Sequence, residues 1–325
     1  MKSLHRGAAL LAAMLTVALV ATFAASALWQ QWRSLEVETA ERARVQSAWV
    51  LTGALDWARL VLREDARSGG ADHLGEPWAV PLQEARLSSF LAAERNVSTD
   101  TGPEVMEAFL SGQIIDLQSL LNVNNLVDNG KLSDRDIRSF ARLFDLLGLP
   151  PAQLERLAEN LRFASDTSGS NRSSPMAPLL PQQVEQLVWL GLSAQTVAVL
   201  QPYITVLPVR TPVNLNTASA EVIYASVEGL GMADAQRLVA ERERSYFRTV
   251  GDAKKAIGAS DATFAEGQVG VGVASRFFEV RSRLRLDRLV VEEHSVVQRD
   301  GLEVRTLQRQ RGVPALGVQA QSATR

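Results

Sequence analysis

The side chains with the most chemistry to offer are few and scattered. Asp128-Asn129-Gly130 opens like a calcium loop, in which closely spaced oxygens converge on a hard cation. The donors needed at the fifth and twelfth loop positions are missing, so the run reads as a polar turn. Asp134 and Asp136 read as acids in the first turn of a helix. The chain has no cysteine, which excludes disulfides, thiol catalysis and thiolate-bound metals, and only three histidines: His5, His73 and His294. Gly270-Val271-Gly272 lacks the third glycine of a nucleotide loop and leads into strand-like residues, so it reads as a structural turn. No nucleophile–base pair and no pair of acids falls into a recognisable motif; no catalytic residue is assigned, and a non-enzymatic protein is expected.

Two asparagine runs echo each other, Asn122-Val123-Asn124-Asn125 and Asn214-Leu215-Asn216-Thr217. Asparagine accepts turn geometry and caps helix starts, so both read as structural. Gly191-Leu192-Ser193 and Gly229-Leu230-Gly231 lie 38 residues apart. Each begins a helical pattern, ending at Leu200 and Leu238, and Gly148-Leu149 is a looser third copy. Helix, glycine turn and helix repeat as modules that pack side by side around one core. The copy at Gly229 resembles a helix-hairpin-helix, whose turn can offer backbone N–H groups to a DNA phosphate. That use needs a cationic surplus. Residues 214–258 carry six acidic and six basic side chains, and Glu228 lies inside the hairpin, so a packing module is the preferred reading.

The elements that must position these residues start with an apolar N-terminus. Ala8 to Leu28 is an uncharged run of 21 residues, enough to span a bilayer as a helix of about 20 residues. Lys2, His5 and Arg6 precede it, so the N-terminus is expected to stay cytoplasmic. Three readings fit: a secretory signal cut after Ala27 in Ala25-Ser26-Ala27, an uncleaved anchor, or a prepilin-type leader cut between Gly7 and Ala8. Trp29 and Trp32 sit where an interfacial belt belongs. Val45, Ala48, Leu51, Leu55, Ala58 and Leu62 then form one apolar helix face, with Glu36, Glu38, Glu41, Arg42 and Arg44 between. The pattern predicts a continuous stem of about 57 residues, about 85 Å long.

The remaining elements follow from local pattern. Ser68-Gly69-Gly70 ends the stem, and Leu110 to Gln118 reads as a strand. Residues 133–163 read as two helices, the first capped by Ser133 and broken from the second at Gly148-Leu149-Pro150-Pro151. Residues 165–181 read as a polar Ser/Pro-rich loop. Phe278, Val280, Leu284 and Leu286 alternate with charged residues as in a half-buried strand, and Asp300-Gly301 reads as a hairpin turn before Leu302, Val304 and Thr306. With 325 residues, 46% hydrophobic, 22% charged and a net charge of −2, the chain has the composition of a folded protein of about two globular units, not of a dedicated nucleic-acid binder.

Several of these stretches together resemble the type II secretion system minor pseudopilin K family, also called general secretion pathway protein K. They are His5-Arg-Gly-Ala-Ala-Leu-Leu11, Gly112-Gln-Ile-Ile-Asp-Leu-Gln118 with Asn122-Val-Asn-Asn-Leu126, Pro202-Tyr-Ile-Thr-Val-Leu207, Pro212-Val-Asn-Leu-Asn-Thr-Ala-Ser-Ala-Glu-Val222 and Ser275-Arg-Phe-Phe-Glu-Val280. The resemblance implies an α+β fold: a pilin-like long N-terminal helix plus antiparallel sheet, with a large inserted α-helical, SAM-like domain. Its expected divisions are a leader (1–7), a transmembrane part of the helix (8–28) and its periplasmic amphipathic part (29–67). A pilin-like β segment (68–121), the inserted helical domain (122–210), a second SAM-like or helix-hairpin-helix-like module (211–272), C-terminal strands (273–311) and a flexible tail (312–325) complete them.

The implied role is a tip cap of the pseudopilus that helps start its assembly and so serves export of folded proteins across the outer membrane. The implied partners are minor pseudopilins I and J, the major pseudopilin, the prepilin peptidase and the inner-membrane assembly platform, with no nucleic acid and no cofactor. Most pilins carry Glu at the fifth mature position; counted from Ala8, that position is Ala12, as in members of type K. A tip subunit has no neighbour above to neutralise a carboxylate in the bilayer. Many relatives bind calcium through an Asp-rich segment, where this chain has Asn160 to Asp166 and then the Ser-rich loop. Asp166 stands nearly alone there, and Asp128 is the other weak candidate, so the ligand count falls short of a calcium site. A glycine the family has after Asp116-Leu-Gln is replaced here by Ser119-Leu120-Leu121. Competing readings are a membrane-anchored helix-hairpin-helix DNA receptor of the competence type and a secreted protein cut after Ala27.

Overall fold

The computed structural model describes residues 5–87, 108–166, 168, 177–258, 270–286 and 289–312. The expected flexible tail beyond 312 and most of the Ser-rich loop lie outside the described residues. Helix α1 runs from His5 to Ser68 without a break, about 96 Å at 1.5 Å per residue. Every residue from 9 to 42 is exposed, so the apolar span has no protein around it; its upper part enters the body. Leu51, Leu55, Ala58 and Leu62 are buried, as their spacing predicts. Val45 departs from that reading: it lies at the margin of the helical arc and is 53% exposed. Gly69, at φ 63°, ends the helix and donates its N–H to Asp65 O (3.2 Å).

The upper half of α1 packs on one face of a five-stranded antiparallel sheet. Its order is β1 (Leu82–Arg86), β2 (Ala108–Asp116), β9 (Phe277–Leu286), β10 (Leu289–Asp300) and β11 (Glu303–Gly312). Side chains on a strand alternate between faces, so Phe278, Val280, Val297 and Val304 meet Leu55, Ala58 and Leu62 of the helix, together with Trp78. The Trp78 and Phe278 rings meet edge to face at 5.2 Å. The period-2 pattern after Phe277 and the Asp300-Gly301 turn thus form a hairpin, with Gly301 at φ 58°.

Between the neighbouring strands β2 and β9 the chain leaves the sheet and builds a helical domain. Two short strands, β3 (Leu121–Asn122) and β6 (Ile204–Thr205), pair in parallel, and β4 (Val127–Asp128) makes a tight hairpin with β5 (Lys131–Leu132). Helices α2 (Asp134–Leu146), α3 (Pro151–Ser165) and α4 (Ala194–Leu200) follow, then β7 (Val213–Asn214) and helices α5 (Ala220–Ser226), α6 (Met232–Arg244) and α7 (Val250–Ile257). The segment before Gly191, Val184–Leu190, is a 3-10 helix. Helix α6 continues to Arg244, beyond the Leu238 expected from the repeat, because Leu238 ends only its buried face. Gly270-Val271-Gly272 is also more than a turn: Val271–Gly272 is a strand, β8, parallel to β7. Buried residues from Leu121 to Val271 form one contiguous cluster, so the repeated modules share a core.

Candidate functional site

The densest polar arrangement is buried where the helical domain meets the top of α1 and the sheet. At the end of β2, Asp116 is 3% exposed. Its Oδ2 accepts from Thr217 Oγ1 (2.6 Å), Ser275 Oγ (2.6 Å) and Asn214 Nδ2 (3.1 Å), and its Oδ1 from the N–H of Gln118 (2.7 Å). Burial pushes the Asp116 carboxyl up to about 6, against the pull of these hydrogen bonds. Asn214 Nδ2 is shared further with Asp72 O (3.1 Å) and Ser275 Oγ (3.0 Å), and Asn214 Oδ1 accepts the N–H of Asn216 (2.9 Å). Gln118 completes the crossing by donating to Pro212 O (3.1 Å) and accepting the N–H of Arg276 (2.7 Å).

An ionic knot lies beside it. Arg299, at the end of β10, donates to Asp65 at the top of α1, to Asp72 in the loop after it and to Ser275 O (2.8 Å), and lies 4.9 Å over the Phe278 ring. Asp72 also accepts the N–H of Ser275 (2.7 Å). Burial raises Asp72, and burial with the nearby Glu76 raises Asp65. Burial acts to lower Arg299, but Asp72 and Asp65 outweigh it and hold the guanidinium above its ordinary value. Oxygens of Asp65, Asp72 and Glu76 lie within 4.8 Å of one another, the one such group among the described residues. Protein donors already engage all three: Arg299 serves the two aspartates, and Glu76 accepts the N–H of His73 (2.9 Å) and of the Trp78 ring (2.7 Å).

The asparagine runs act as staples. Asn122 Oδ1 accepts the N–H groups of Asn124 and Leu207 (both 3.1 Å), and its Nδ2 donates to Val209 O (2.8 Å) and Thr211 Oγ1 (3.2 Å). Asn125 exchanges two hydrogen bonds with the backbone of Thr211 (2.8 and 3.0 Å), and Asn124 Nδ2 reaches Leu207 O (2.7 Å). In the second run, Asn216 exchanges two bonds with the backbone of Phe247 (both 2.9 Å). Each side chain therefore replaces backbone partners that an irregular buried segment would otherwise lack.

At the repeat turns, Gly148, Gly191 and Gly229 all have positive φ (65°, 91° and 80°). Gly191 also faces the Arg156 side chain, 2.6 Å from where a Cβ would stand. Gly231 caps α6 at φ −82°. The hairpin at Gly229 is gripped from α2: Arg142 donates to Val227 O and Leu230 O and lies 4.2 Å over the Tyr224 ring, while Arg138 pairs with Glu228 (3.0 Å). The two α2 arginines that grip this hairpin thus bind its carbonyls and its carboxylate.

The remaining candidates stand apart. Gly7 and Ala8 lie in the first turns of α1, and Ala12 is exposed on it. Asp128 is exposed and pairs with Arg210 (3.3 Å). Asp166 accepts the N–H of Ser168 (2.9 Å), which draws its carboxyl below the usual range. Among the described residues, neither belongs to a convergent group of carboxylates. Sequence reasoning missed Asp72, Asp116, Ser275 and Arg299, which are far apart in the chain; the one signal was a charged residue closing the apolar strand Gln113-Ile-Ile-Asp116.

The junction joins domains, and comparison with known proteins agrees with a structural part. Residues 119–209 and 213–273 match two family profiles, both described as type II secretion system (T2SS), protein K. Over 97% of the chain and 95% of the relative, the sequence is 28% identical to the type II secretion system protein K of Pseudomonas aeruginosa. It is 24% identical to that of Pectobacterium carotovorum subsp. carotovorum, over 96% and 98% of the two chains. A chain in the crystal structure of the GspK-GspI-GspJ complex of the enterotoxigenic Escherichia coli Type 2 Secretion System shares the fold, with a TM-score of 0.63 at 18% identity, over 85% of this chain and 99% of that one.

Proposed function

Because this chain belongs to the type II secretion system protein K family and is a minor pseudopilin of that system, we propose that it caps the pseudopilus tip and helps initiate its assembly. The observation that carries this reading is the position of the helical domain. It leaves the sheet at the C-terminal end of β2 and returns at the start of β9, beside Asp65 and Asp72 at the top of α1. It therefore sits on the end of the stem farthest from the apolar span, where a further subunit would otherwise stack.

In this reading the leader is cut between Gly7 and Ala8, α1 anchors the chain in the inner membrane with its start in the cytoplasm, and the body stands in the periplasm. Only one described helix is long and apolar enough to cross a membrane. Removal of Lys2 and Arg6 leaves 32 basic against 36 acidic side chains, a mature charge of −4. The partners are minor pseudopilins I and J, as for the Escherichia coli protein solved with GspI and GspJ, together with the major pseudopilin, the prepilin peptidase and the assembly platform.

Ala12 supplies the test. An Ala12→Glu variant places in the bilayer a carboxylate with no partner above it. Secretion and recovery of this subunit with the other minor pseudopilins should both fall. Normal secretion and assembly in that variant would overturn tip placement. The competence-type reading loses ground because Arg142 and Arg138 hold the hairpin within the protein. Salt-dependent DNA binding by the body would restore it.

A further inference from the structure

The chain leaves the top of α1 through Gly69 and Gly70, at φ 63° and 118°, and enters a strap of residues 71–78. The strap ties three parts of the molecule together. Asp72 holds the helical domain, donating its N–H to Val273 O (2.9 Å) and accepting at its carbonyl from Asn214 Nδ2 (3.1 Å). The His73 ring stacks on Tyr246, between α6 and α7, with ring centroids 3.8 Å apart. Trp78, at the far end, is buried against Phe278 in the core between α1 and the sheet. The angle of the helical domain to the stem therefore depends on how firmly this strap is seated.

The seat is short of positive charge. Asp65, Asp72 and Glu76 bring oxygens within 4.8 Å of one another, and Arg299 is the cation that reaches Asp65 and Asp72. With all three carboxylates ionised, three negative charges face one positive charge. The Asp65 and Asp72 side chains are only 10% and 5% exposed, so water does little to screen that excess. The cations close by are committed or turned outward: Arg276 pairs with Asp300, Arg67 with Glu64, and Arg63 is exposed on α1. Asp116, bonded to the same Asn214, adds a fourth acid, and Asp72 opposes its ionisation. Burial first, and then the negative Glu76, hold the Asp65 carboxyl above its ordinary value; burial holds Asp72 up against the pull of Arg299.

We propose that the strap is a proton-operated latch: one proton, carried by Asp65 and shared with Glu76, seats it on the top of α1, and loss of that proton to water frees the helical domain to swing about Gly69-Gly70. With the proton in place, one negative charge is gone and the two acids attract through a hydrogen bond. Without it they repel in a site that Arg299 cannot neutralise alone. A carboxyl held above its ordinary value favours the closed form at low pH, and that contribution is lost as pH rises. Glu76 passes the change along the strap. Its carboxylate also accepts the N–H of His73 (2.9 Å) and of the Trp78 ring (2.7 Å), the residues that grip the helical domain and the core under α1. His73 acts in the opposite sense: its Nδ1 accepts the Gly75 N–H (3.1 Å), a bond that a proton on Nδ1 removes. The latch is a property of the chain alone and does not depend on its partners.

The test uses the full-length chain in detergent, with spin labels on Leu60→Cys in α1 and Gln236→Cys in α6. Both positions are exposed, and the chain has no cysteine of its own. The distribution of distances between the labels should widen roughly twofold as pH rises from about 5 to about 8. Glu76→Gln keeps an oxygen for the His73 and Trp78 donors and offers Asp65 a fixed N–H in place of the proton, so its distribution should stay narrow throughout. Asp65→Asn still presents an oxygen to Arg299 and should also stay narrow, which gives a second reading if Glu76→Gln fails to fold. A width that ignores pH in the otherwise unaltered chain overturns the proposal. So does widening on acidification, the behaviour expected if the His73–Gly75 bond governs the strap. Widening at high pH that survives both substitutions overturns it as well, and its disappearance in Asp116→Asn would move the switch to that carboxylate.

Discussion

A single carboxylate, Asp116, receives hydrogen bonds from Thr217, Ser275, Asn214 and Gln118 and yet is harder to ionise than a free aspartate, because burial disfavours its charged form. Its carboxyl lies at about 6 in the fold, against an ordinary value of about 3.9 in the unfolded chain. The stability it contributes is therefore complete below the unfolded value and is lost as pH rises through about 6. Relative to Asp116→Asn, the wild-type body should lose on the order of 3 kcal/mol between pH 4 and pH 7, a loss that urea unfolding at a series of pH values would detect. A pH-independent difference would show that the hydrogen bonds fully offset the burial. Asn214 is less forgiving. Asn214→Ala leaves the buried Asn216 N–H without its acceptor and withdraws a donor from Asp116, and should cost about 3 kcal/mol in the same assay. The value of these residues was only half legible in the chain. The asparagines were visible as turn formers, but Asp72, Ser275 and Arg299 carry no local signal, because their meaning lies in contacts across more than 200 positions, as between Asp72 and Ser275.

Elements were easier to read where one period governed the chain and harder where burial came from a crossing. The stem, the strand closing at Asp116 and the hairpin at Asp300-Gly301 follow from spacing and turn chemistry. The parallel pairs β3–β6 and β7–β8 are two residues long on each side, too short for any period to announce them. Each closes one half of the helical domain, β3–β6 bracketing α2 to α4 and β7–β8 bracketing α5 to α7. The top of α1 is held to the sheet by Arg299, so Arg299→Met should destabilise the body by about 4 kcal/mol by leaving Asp65 and Asp72 buried without their cation. Adding Asp65→Asn and Asp72→Asn should recover much of that loss. Thermal unfolding of the two variants separates a lost ion pair from lost packing against Phe278: no recovery in the triple variant means the packing dominates.

At the scale of the whole molecule, the apolar start of α1 stands clear of the body, which gathers around the helix's upper part. N-terminal sequencing of protein recovered from membranes should begin at Ala8; a start at Leu28 would exclude the pseudopilin reading. The helical domain enters after Asp116 and returns at Phe277, and Asp116 lies opposite Phe278 in the β2–β9 ladder. Its two attachments are thus neighbours on adjacent strands, at the same end of the sheet. Tension applied to the domain is divided between two strands drawn lengthwise in one direction. It does not peel one strand from the other, and Arg299 passes part of it directly into the top of α1. The sheet can in this way carry a large appendage at its end without that appendage acting as a lever on the strands that bear it.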